Sequence, residues 1–441
     1  MFETTIAAIS TALQDGAISI VRVSGEDAID IVQSIFDRNI KNAQSHTIHY
    51  GFIIDEQNKP VDEVLVSIFK APKTYTREDI VEINCHGGTF ITRKILSLVL
   101  SKGASLAKPG EFTQRAFYHG RIDLSQAEAV QDMIDAANDT AANMAIYGIK
   151  GSVKQLLQPL IDEIMDIIAN IEVNIDYPEY EDIEQLTTND LLPKTKDWLE
   201  KIDKILDKAQ TGQLLKKGID TVIVGKPNVG KSSLLNALLE EDKAIVTDIA
   251  GTTRDIVEGK IQISSLQLNL IDTAGIREAN DKIEQIGIEK SQQKLEQAQL
   301  VILLLDGSKE LEKEDHELLE MTKDKQRIIV YNKADIRSCF EGICISAKEN
   351  NIQPLYDAII DLYQNDMLKE DPVLSNERQI GLLKQAKQDM LNAKDAMMMG
   401  VEPDLIEIDI QSAYDHLKEI LGEVHREDLI DTLFTNFCLG K

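Results

Sequence analysis

The sequence predicts a multidomain protein in which a doubly wound α/β domain is inserted into an all-α helical domain, after an N-terminal α+β domain. Three observations support this prediction. The 441 residues exceed what one hydrophobic core usually supports. Strand-like and helix-like segments alternate over residues 217–365, as in a parallel sheet. Helical periodicity precedes this stretch at 119–216 and returns at 366–441.

The N-terminal residues 1–118 mix strand-like and helical segments. The runs AISIVRV, EVLVSIF and DIVEINC are rich in β-branched residues, and FITRKILSLVLSKG has helical spacing. This mixture predicts one α+β domain.

The helical domain is predicted from spacing. Ser125 and Glu128 stand three residues apart, as in a capping box, which predicts that a long helix starts there. In a second stretch, 153–175, apolar residues recur every three or four positions and form one wide stripe. Such a stripe is typical of a helix bundle.

The chain is strongly acidic, with 47 basic and 75 acidic side chains and a net charge of −28. This balance opposes a broad electrostatic contact with nucleic acid, so RNA binding would need a local basic patch or a basic partner. The acidic run 176–185 is interpreted as a solvated loop.

The cysteines indicate a reducing compartment. Cys85, Cys339, Cys344 and Cys438 are too sparse for a disulfide framework and lack paired metal-binding spacing, so we expect reduced thiols. The N-terminus lacks a signal-peptide pattern, and no apolar run approaches membrane-spanning length. We therefore expect a cytoplasmic protein without a membrane segment.

A phosphate-binding loop is predicted where a strand runs into a helix. Gly225-Lys-Pro-Asn-Val-Gly-Lys-Ser matches the pattern G-x-x-x-x-G-K-[ST]. Lys231 would neutralise the β- and γ-phosphates, and the hydroxyl of Ser232 would ligate Mg²⁺. The nucleotide contacts predicted here are Asn228, Val229, Gly230, Lys231, Ser232 and Ser233.

Two further motifs follow apolar strands in the order expected of a guanine-nucleotide site. The first would hold the magnesium shell and sense the γ-phosphate; it comprises Asp272, Thr273, Ala274 and Gly275. In the second, Asp335 can accept hydrogen bonds from the N1–H and amino group of guanine, which adenine does not offer. The base-side residues are Asn332, Lys333, Asp335, Ser346 and Ala347. Together the motifs predict a Ras-like P-loop GTPase domain.

The water-activating group of this domain is not a glutamine, because Arg277 stands at that position. Asn228 and the segment 247–253 resemble those of GTPases that place K⁺ beside the β/γ bridge. This resemblance implies K⁺ ligands at Asn228, Thr247, Ile249 and Thr252. It also implies that Thr253 joins Ser232 on Mg²⁺ and that Glu284 orients water, although a solvated helix carboxylate is the alternative for Glu284. The nucleotide contacts of this segment are Thr247, Asp248, Ile249, Ala250, Gly251, Thr252 and Thr253.

Segments outside the α/β domain identify a family. The runs EINCHGG, PGEFTQRAF and the terminal FCLGK resemble the MnmE (TrmE) family of tRNA uridine-5-carboxymethylaminomethyl modification GTPases over essentially the whole length. The resemblance implies a folate-binding N-terminal domain that forms homodimers. It further implies action on wobble uridine 34 of tRNA, in a heterotetramer with the flavoprotein MnmG.

The resemblance also implies a site for 5-formyltetrahydrofolate at Arg22, Glu82, Arg121 and Lys441. Cationic groups suit the carboxylates of a folate, and Glu82 suits its pterin ring. Without the resemblance, Arg22 and Arg121 would be interpreted as ordinary surface cations. Cys438 is a candidate nucleophile or one-carbon-handling thiol, although nothing near it in the sequence indicates a lowered pKa.

Other features leave alternatives open. Cys85 and His86 form either a catalytic dyad or a structural segment. The sequence departs from the family pattern at His119, at Leu439 and in a shorter stretch near His425, and His119 is expected at the edge of the folate pocket. Alternative functions are a ribosome-assembly GTPase without base chemistry and a folate-dependent one-carbon transferase regulated by GTP.

Overall fold

The computed structural model describes most of the chain as two compact units. The described residues are 4–176, 188–240, 257–263, 266–271, 298–336, 342–367, 373–424, 434, 437 and 440. The first unit consists of Met1–Asp135, Ile146–Leu199 and Gly381–Lys441, and the second of Ala136–Ala145 and Glu200–Ile380. Domain boundaries at 118, 216 and 365 stay predictions.

The described residues form strands and helices with the following bounds. The strands are β1 (Ile6–Ile9), β2 (Ile18–Ser24), β3 (Thr47–Ile54), β4 (Pro60–Phe69), β5 (Ile80–His86), β6 (Ser105–Leu106), β7 (Ile219–Val224), β8 (Val257–Ile263), β9 (Leu266–Ile271), β10 (Leu300–Asp306), β11 (Arg327–Asn332) and β12 (Ile343–Cys344). The helices are α1 (Ala28–Gln33), α2 (Thr89–Ser101), α3 (Glu111–Tyr118), α4 (Leu124–Asp135), α5 (Asp139–Ile149), α6 (Ser152–Asp176), α7 (Thr188–Lys217), α8 (Lys231–Glu240), α9 (Lys313–Met321), α10 (Gln353–Met367), α11 (Glu377–Met398) and α12 (Pro403–Leu421).

The first unit contains a six-stranded sheet in the order β3-β4-β5-β2-β1-β6. Alternation along β2 buries Val21 and Val23 in the core and turns Arg22 to the opposite face. Arg22 lies opposite Glu82 of β5 in the antiparallel register. The pleat therefore places these two oppositely charged side chains next to each other, away from the core.

The apolar stripe predicted for residues 153–175 is confirmed in α6. Ile164 and Ile171 are fully buried on this stripe, whereas Met165 is half exposed. The indole N–H of Trp198 on α7 donates to the carbonyl of Leu160 at 3.0 Å, which satisfies a polar group in an otherwise apolar core.

The predicted N-cap of α4, Ser125, is wrong by two residues. The backbone N–H of Gln126 donates to Asp123 Oδ1 at 2.8 Å, and that of Asp123 donates to Gln126 Oε1 at 3.0 Å. The capping box is therefore formed by Asp123 and Gln126, and Ser125 and Glu128 are buried within the first turns. Aspartate caps a helix as well as serine does, so both spacings fit the pattern.

The second unit confirms the doubly wound α/β fold. Its sheet has the order β12-β11-β10-β7-β9-β8, with parallel pairing except between β8 and β9. Residues 300–305 of β10 are all fully buried, as expected of a central strand covered on both faces. Because parallel strands end at the same edge, the loops after β7 and β11 meet there.

Three further observations concern helix length and the cysteines of the described residues. Among the helices of the described ranges, none combines the length and apolar composition that crossing a membrane requires. Cys85 is a free, buried cysteine. Cys344 is disulfide-bonded, so the expectation of a reduced thiol is wrong at this position.

We expect Ile164→Ala to reduce the free energy of unfolding of the first unit by about 3 kcal/mol, because it opens a cavity in the bundle. The neighbouring Met165→Ala is the matched control, with an expected change within about 0.5 kcal/mol. Urea unfolding followed by the fluorescence of Trp198, the single tryptophan of the chain, measures both. Equal losses in the two variants would contradict the burial of this stripe.

Candidate nucleotide and folate sites

The loop between β7 and α8 has a backbone path that requires glycine at two positions. A Cβ atom on Gly225 would lie 2.4 Å from the carbonyl oxygen of Leu304. Gly230 has a φ of +101°, and a Cβ atom there would lie 2.2 Å from Asn332 Nδ2. Asn228 also adopts a positive φ, of 63°. The two glycines of the motif are therefore required by close approach and by backbone conformation.

Lys231 begins α8 and folds back over this loop. Its ammonium donates to the carbonyls of Gly225 at 2.5 Å and Lys226 at 3.0 Å. Burial lowers the pKa of Lys231, because the charged form loses hydration. The lysine thus holds a desolvated positive charge beside a helix N-terminus, which is where phosphate groups bind.

Asn332 joins the phosphate-binding loop to the base-side residues. Its amide nitrogen donates to the carbonyl of Val229 at 2.8 Å, and its amide oxygen accepts from the N–H of Ala347 at 3.0 Å. The side chain is buried. One amide therefore fixes the distance between the loop that would hold phosphates and the segment that would line the base.

The remaining base-side residues are oriented by polar contacts. The hydroxyl of Ser346 donates to Asp335 Oδ1 at 2.8 Å, and Asp335 is exposed to solvent. Lys333 forms an ion pair with Asp306 at 2.7 Å. Burial raises the pKa of Asp306, but hydrogen bonds from Lys333 and Ser308 outweigh it and keep the pKa below its ordinary value. The carboxylate of Asp335 is thus held in place and remains accessible to a base.

Sequence reasoning missed a second lysine of the loop. The Lys226 ammonium lies 2.6 Å from Asp315 Oδ2 and 2.8 Å from Glu312 Oε2, at the N-terminus of α9. The hydrogen bonds that Lys226 donates to Asp315, and then to Glu312, raise the pKa of Lys226 well above its usual range. Lys226 occupies a variable position of the motif, so only the charge of the side chain could have indicated this role.

Several predicted site residues lie outside the described residues. They are Thr247, Asp248, Ile249, Ala250, Gly251, Thr252, Thr253, Asp272, Thr273, Ala274, Gly275, Arg277, Glu284, Cys438, Leu439 and Lys441, together with 177–185 and the stretch near His425.

The first unit contains a cavity of about 510 Å³ that includes Arg22, Glu82 and Arg121. Arg22 Nε donates to Glu82 Oε1 at 2.8 Å, and its Nη1 donates to the carbonyl of Gly440 at 3.3 Å. The guanidinium of Arg121 lies over the ring of Tyr75, 4.9 Å from its centroid. The structure thus brings together the three described residues of the predicted folate site.

The cavity wall offers both apolar and cationic groups. Phe69, Pro72 and Ile80 contribute apolar surface. Tyr75 is partly buried, and this burial raises the pKa of its hydroxyl. Lys73 and Arg77 also line the cavity and were missed by sequence reasoning, although both belong to the short segment KTYTR that follows β4.

His119 contacts the segment that carries Arg77, one of the residues lining this cavity. Its place at the edge of a folate pocket stays a prediction. Its Nδ1 donates to the carbonyl of Thr76 at 2.6 Å, and its own carbonyl accepts from Arg77 Nη1 at 2.7 Å. His119 therefore contacts the buried backbone beside Arg77 and the guanidinium of Arg77 itself, which lines the cavity.

Cys85 and His86 do not form a catalytic dyad. They are adjacent on β5, so their side chains point to opposite faces of the sheet. Cys85 is buried, and this burial raises the pKa of its thiol. His86 is exposed and pairs with Asp62 at 2.7 Å. The structural interpretation of this segment is the one that the contacts support.

We expect Gly230→Ala to abolish guanine-nucleotide binding, because the added Cβ displaces Asn332 and strains a positive φ. Gly381→Ala in α11 is the matched control, since a Cβ there meets no atom within 4 Å. Fluorescence titration with N-methylanthraniloyl-GTP measures binding, and circular dichroism checks folding. Undiminished binding by a folded Gly230→Ala protein would contradict the described loop geometry.

Comparisons with known proteins identify relatives of this chain. Aquifex aeolicus Era bound to GDP.AlF4- is 27% identical, with a TM-score of 0.25 and coverage of 39% of this chain and 67% of that chain. A family model for the GTP-binding protein TrmE N-terminus matches residues 5–121, and one for the MnmE helical domain matches 124–438. The tRNA modification GTPase MnmE of Bacillus cytotoxicus is 48% identical over 454 residues, covering 99% of each chain. That of Lactococcus lactis is 47% identical over 448 residues, covering 99% of this chain and 98% of the other. The chain therefore belongs to the MnmE family of tRNA modification GTPases.

Proposed function

We propose that the protein hydrolyses GTP to drive formation of the carboxymethylaminomethyl group at C5 of wobble uridine 34 in tRNA. The observation that carries this proposal is the amide of Asn332, which hydrogen-bonds both to the loop around Lys231 and to Ala347 beside Asp335. A phosphate cradle and a guanine-specific carboxylate are thereby held in one site. Membership of a family of tRNA modification GTPases supplies the biological context.

Phosphate binding rests on the loop and the start of α8. The proposed nucleotide contacts in this loop are Asn228, Val229, Gly230, Lys231, Ser232 and Ser233. Lys231 would exchange its contacts with loop carbonyls for contacts with phosphate oxygens. Ser232 and Thr253 provide hydroxyl oxygens, the hard donors that Mg²⁺ prefers, and Asp272 provides a carboxylate for its hydration shell.

We propose that K⁺ activates hydrolysis. Asn228 carries an amide oxygen on a residue of positive φ within the loop. Thr247, Ile249 and Thr252 would complete the oxygen ligands, and Glu284 would orient the attacking water. A potassium ion bound there supplies positive charge where negative charge develops between the β- and γ-phosphates.

Folate binding is proposed for the cavity of the first unit. Its volume of about 510 Å³, its apolar wall and the Arg22–Glu82 pair suit a pterin ring joined to carboxylates. Arg121 and Lys441 would contact carboxylates, and Glu82 would accept hydrogen bonds from the pterin. The contact from Arg22 to the carbonyl of Gly440 brings the C-terminal segment to this cavity, which supports a role there for Cys438.

The partners are proposed on the family resemblance. We infer a homodimer formed through the N-terminal domain, a heterotetramer with the flavoprotein MnmG, and action on tRNA in the cytoplasm. A net charge of −28 suits a basic partner that contributes part of the tRNA-binding surface.

We expect GTP turnover to fall about 100-fold when KCl is replaced by NaCl at equal ionic strength with Mg²⁺ present, since a charge at the reacting phosphates is lost. Asn228→Gly keeps the positive φ but removes the amide, and it is expected to lose K⁺ stimulation while retaining nucleotide binding. Asn350→Gly, at another positive φ, is the matched control. Equal wild-type rates in the two salts would refute the K⁺ site.

We expect Asp335→Asn to weaken GTP binding about 100-fold, because guanine's N1–H and amino group lose their acceptor. The same variant is expected to gain affinity for xanthosine triphosphate, which carries a carbonyl in place of that amino group. Competition binding with both nucleotides measures the exchange, and the exposed Asp324→Asn is the control. An unchanged preference for GTP would exclude Asp335 from base recognition.

A further inference from the structure

The cavity of the first unit is rich in positive charge although the chain is acidic. Four cationic side chains line it, those of Arg22, Lys73, Arg77 and Arg121, against the single carboxylate of Glu82. Glu82 is paired with Arg22 at 2.8 Å. The cavity therefore contains three cations more than it needs to neutralise its own carboxylate.

These three cations have no anionic partner among the described residues. Arg77 donates to a backbone carbonyl, that of His119, and Arg121 stacks on Tyr75. The nearby Glu78 is occupied by Arg115 at 2.9 Å. All three are exposed at the cavity, whereas the Arg22–Glu82 pair is half buried. Exposed cations at the edge of a cavity can pair with the anionic end of a ligand.

The segment that carries two of them is held rigidly. Thr74 Oγ1 donates to the carbonyl of Glu78 at 2.6 Å, and the hydroxyls of Ser24 and Thr76 are 2.7 Å apart in the buried interior. Arg77 has a φ of +61°, a conformation that non-glycine residues rarely adopt. A segment fixed in this way loses little conformational entropy when a ligand binds.

We propose that this cavity prefers reduced folates that carry a γ-linked oligoglutamate tail, with Lys73, Arg77 and Arg121 contacting the tail carboxylates. The inference rests on the folate-binding function proposed above. A folate with one glutamate ends in two carboxylates, and each added γ-glutamyl unit contributes one more. Three exposed cations therefore match a tail of at least two glutamates better than a single one.

Isothermal titration calorimetry of the full chain, with 5-formyltetrahydrofolate and its γ-linked triglutamate as probes, tests this preference. We expect the triglutamate to bind about tenfold more tightly, since each exposed ion pair contributes about threefold. The ratio should decrease with added salt, because exposed charges are screened. This wild-type measurement does not depend on the folding of any variant.

Variants then assign the preference to residues. Lys73→Gln combined with Arg77→Gln should bring the affinity ratio close to one while leaving monoglutamate affinity within about twofold. Lys73→Arg keeps the charge and should keep the ratio. Lys102→Gln, an exposed lysine on the same unit outside the cavity, is the matched control.

The outcomes separate this inference from the proposed function. Binding of both folates with equal affinity would overturn the inference and leave folate binding intact. Binding of neither folate would overturn both. If the double variant weakened binding of a tRNA transcript but left the affinity ratio unchanged, the cations would serve RNA, and the inference would be wrong.

Discussion

The candidate nucleotide site depends on one buried amide. Asn332 hydrogen-bonds to Val229 in the loop after β7 and to Ala347 in the segment after β12. These two hydrogen bonds fix the position of the phosphate-binding loop relative to the base-side segment, because the two segments are far apart in sequence. The parallel sheet makes the bridge possible, since its strands end at the same edge. The absence of a Cβ on Gly230 makes room for that amide.

Lys226 and Lys231 have the same side chain but different surroundings, and the surroundings give them different roles. Lys226 is paired with Asp315 and Glu312, so its charge is already neutralised within the protein and anchors the loop to α9. Lys231 contacts the carbonyls of Gly225 and Lys226, and burial lowers its pKa. A phosphate would therefore restore to Lys231 the electrostatic stabilisation that desolvation removed.

The cavity of the first unit shows why net charge is a poor guide to a binding site. A chain with a charge of −28 concentrates four cations around one cavity. The antiparallel register pairs Arg22 with Glu82, and the segment after β4 adds Lys73 and Arg77. Charge acts over about 10 Å in salt solution, so this local arrangement decides what the cavity attracts.

The sequence by itself determined the fold class, the glycines of the phosphate-binding loop, the apolar stripe of α6 and the family, because each depends on local spacing or on a contiguous motif. The sequence misplaced the N-cap of α4, because Asp123 and Ser125 are both good capping residues. Only the hydrogen bond from the backbone N–H of Gln126 identifies Asp123 as the cap. The sequence left Cys85 and His86 ambiguous until the strand placed them on opposite faces. Tertiary structure alone revealed Lys226 with Asp315, and Lys73 and Arg77 in the cavity, because an ion pair or a cavity brings together residues that no sequence period connects.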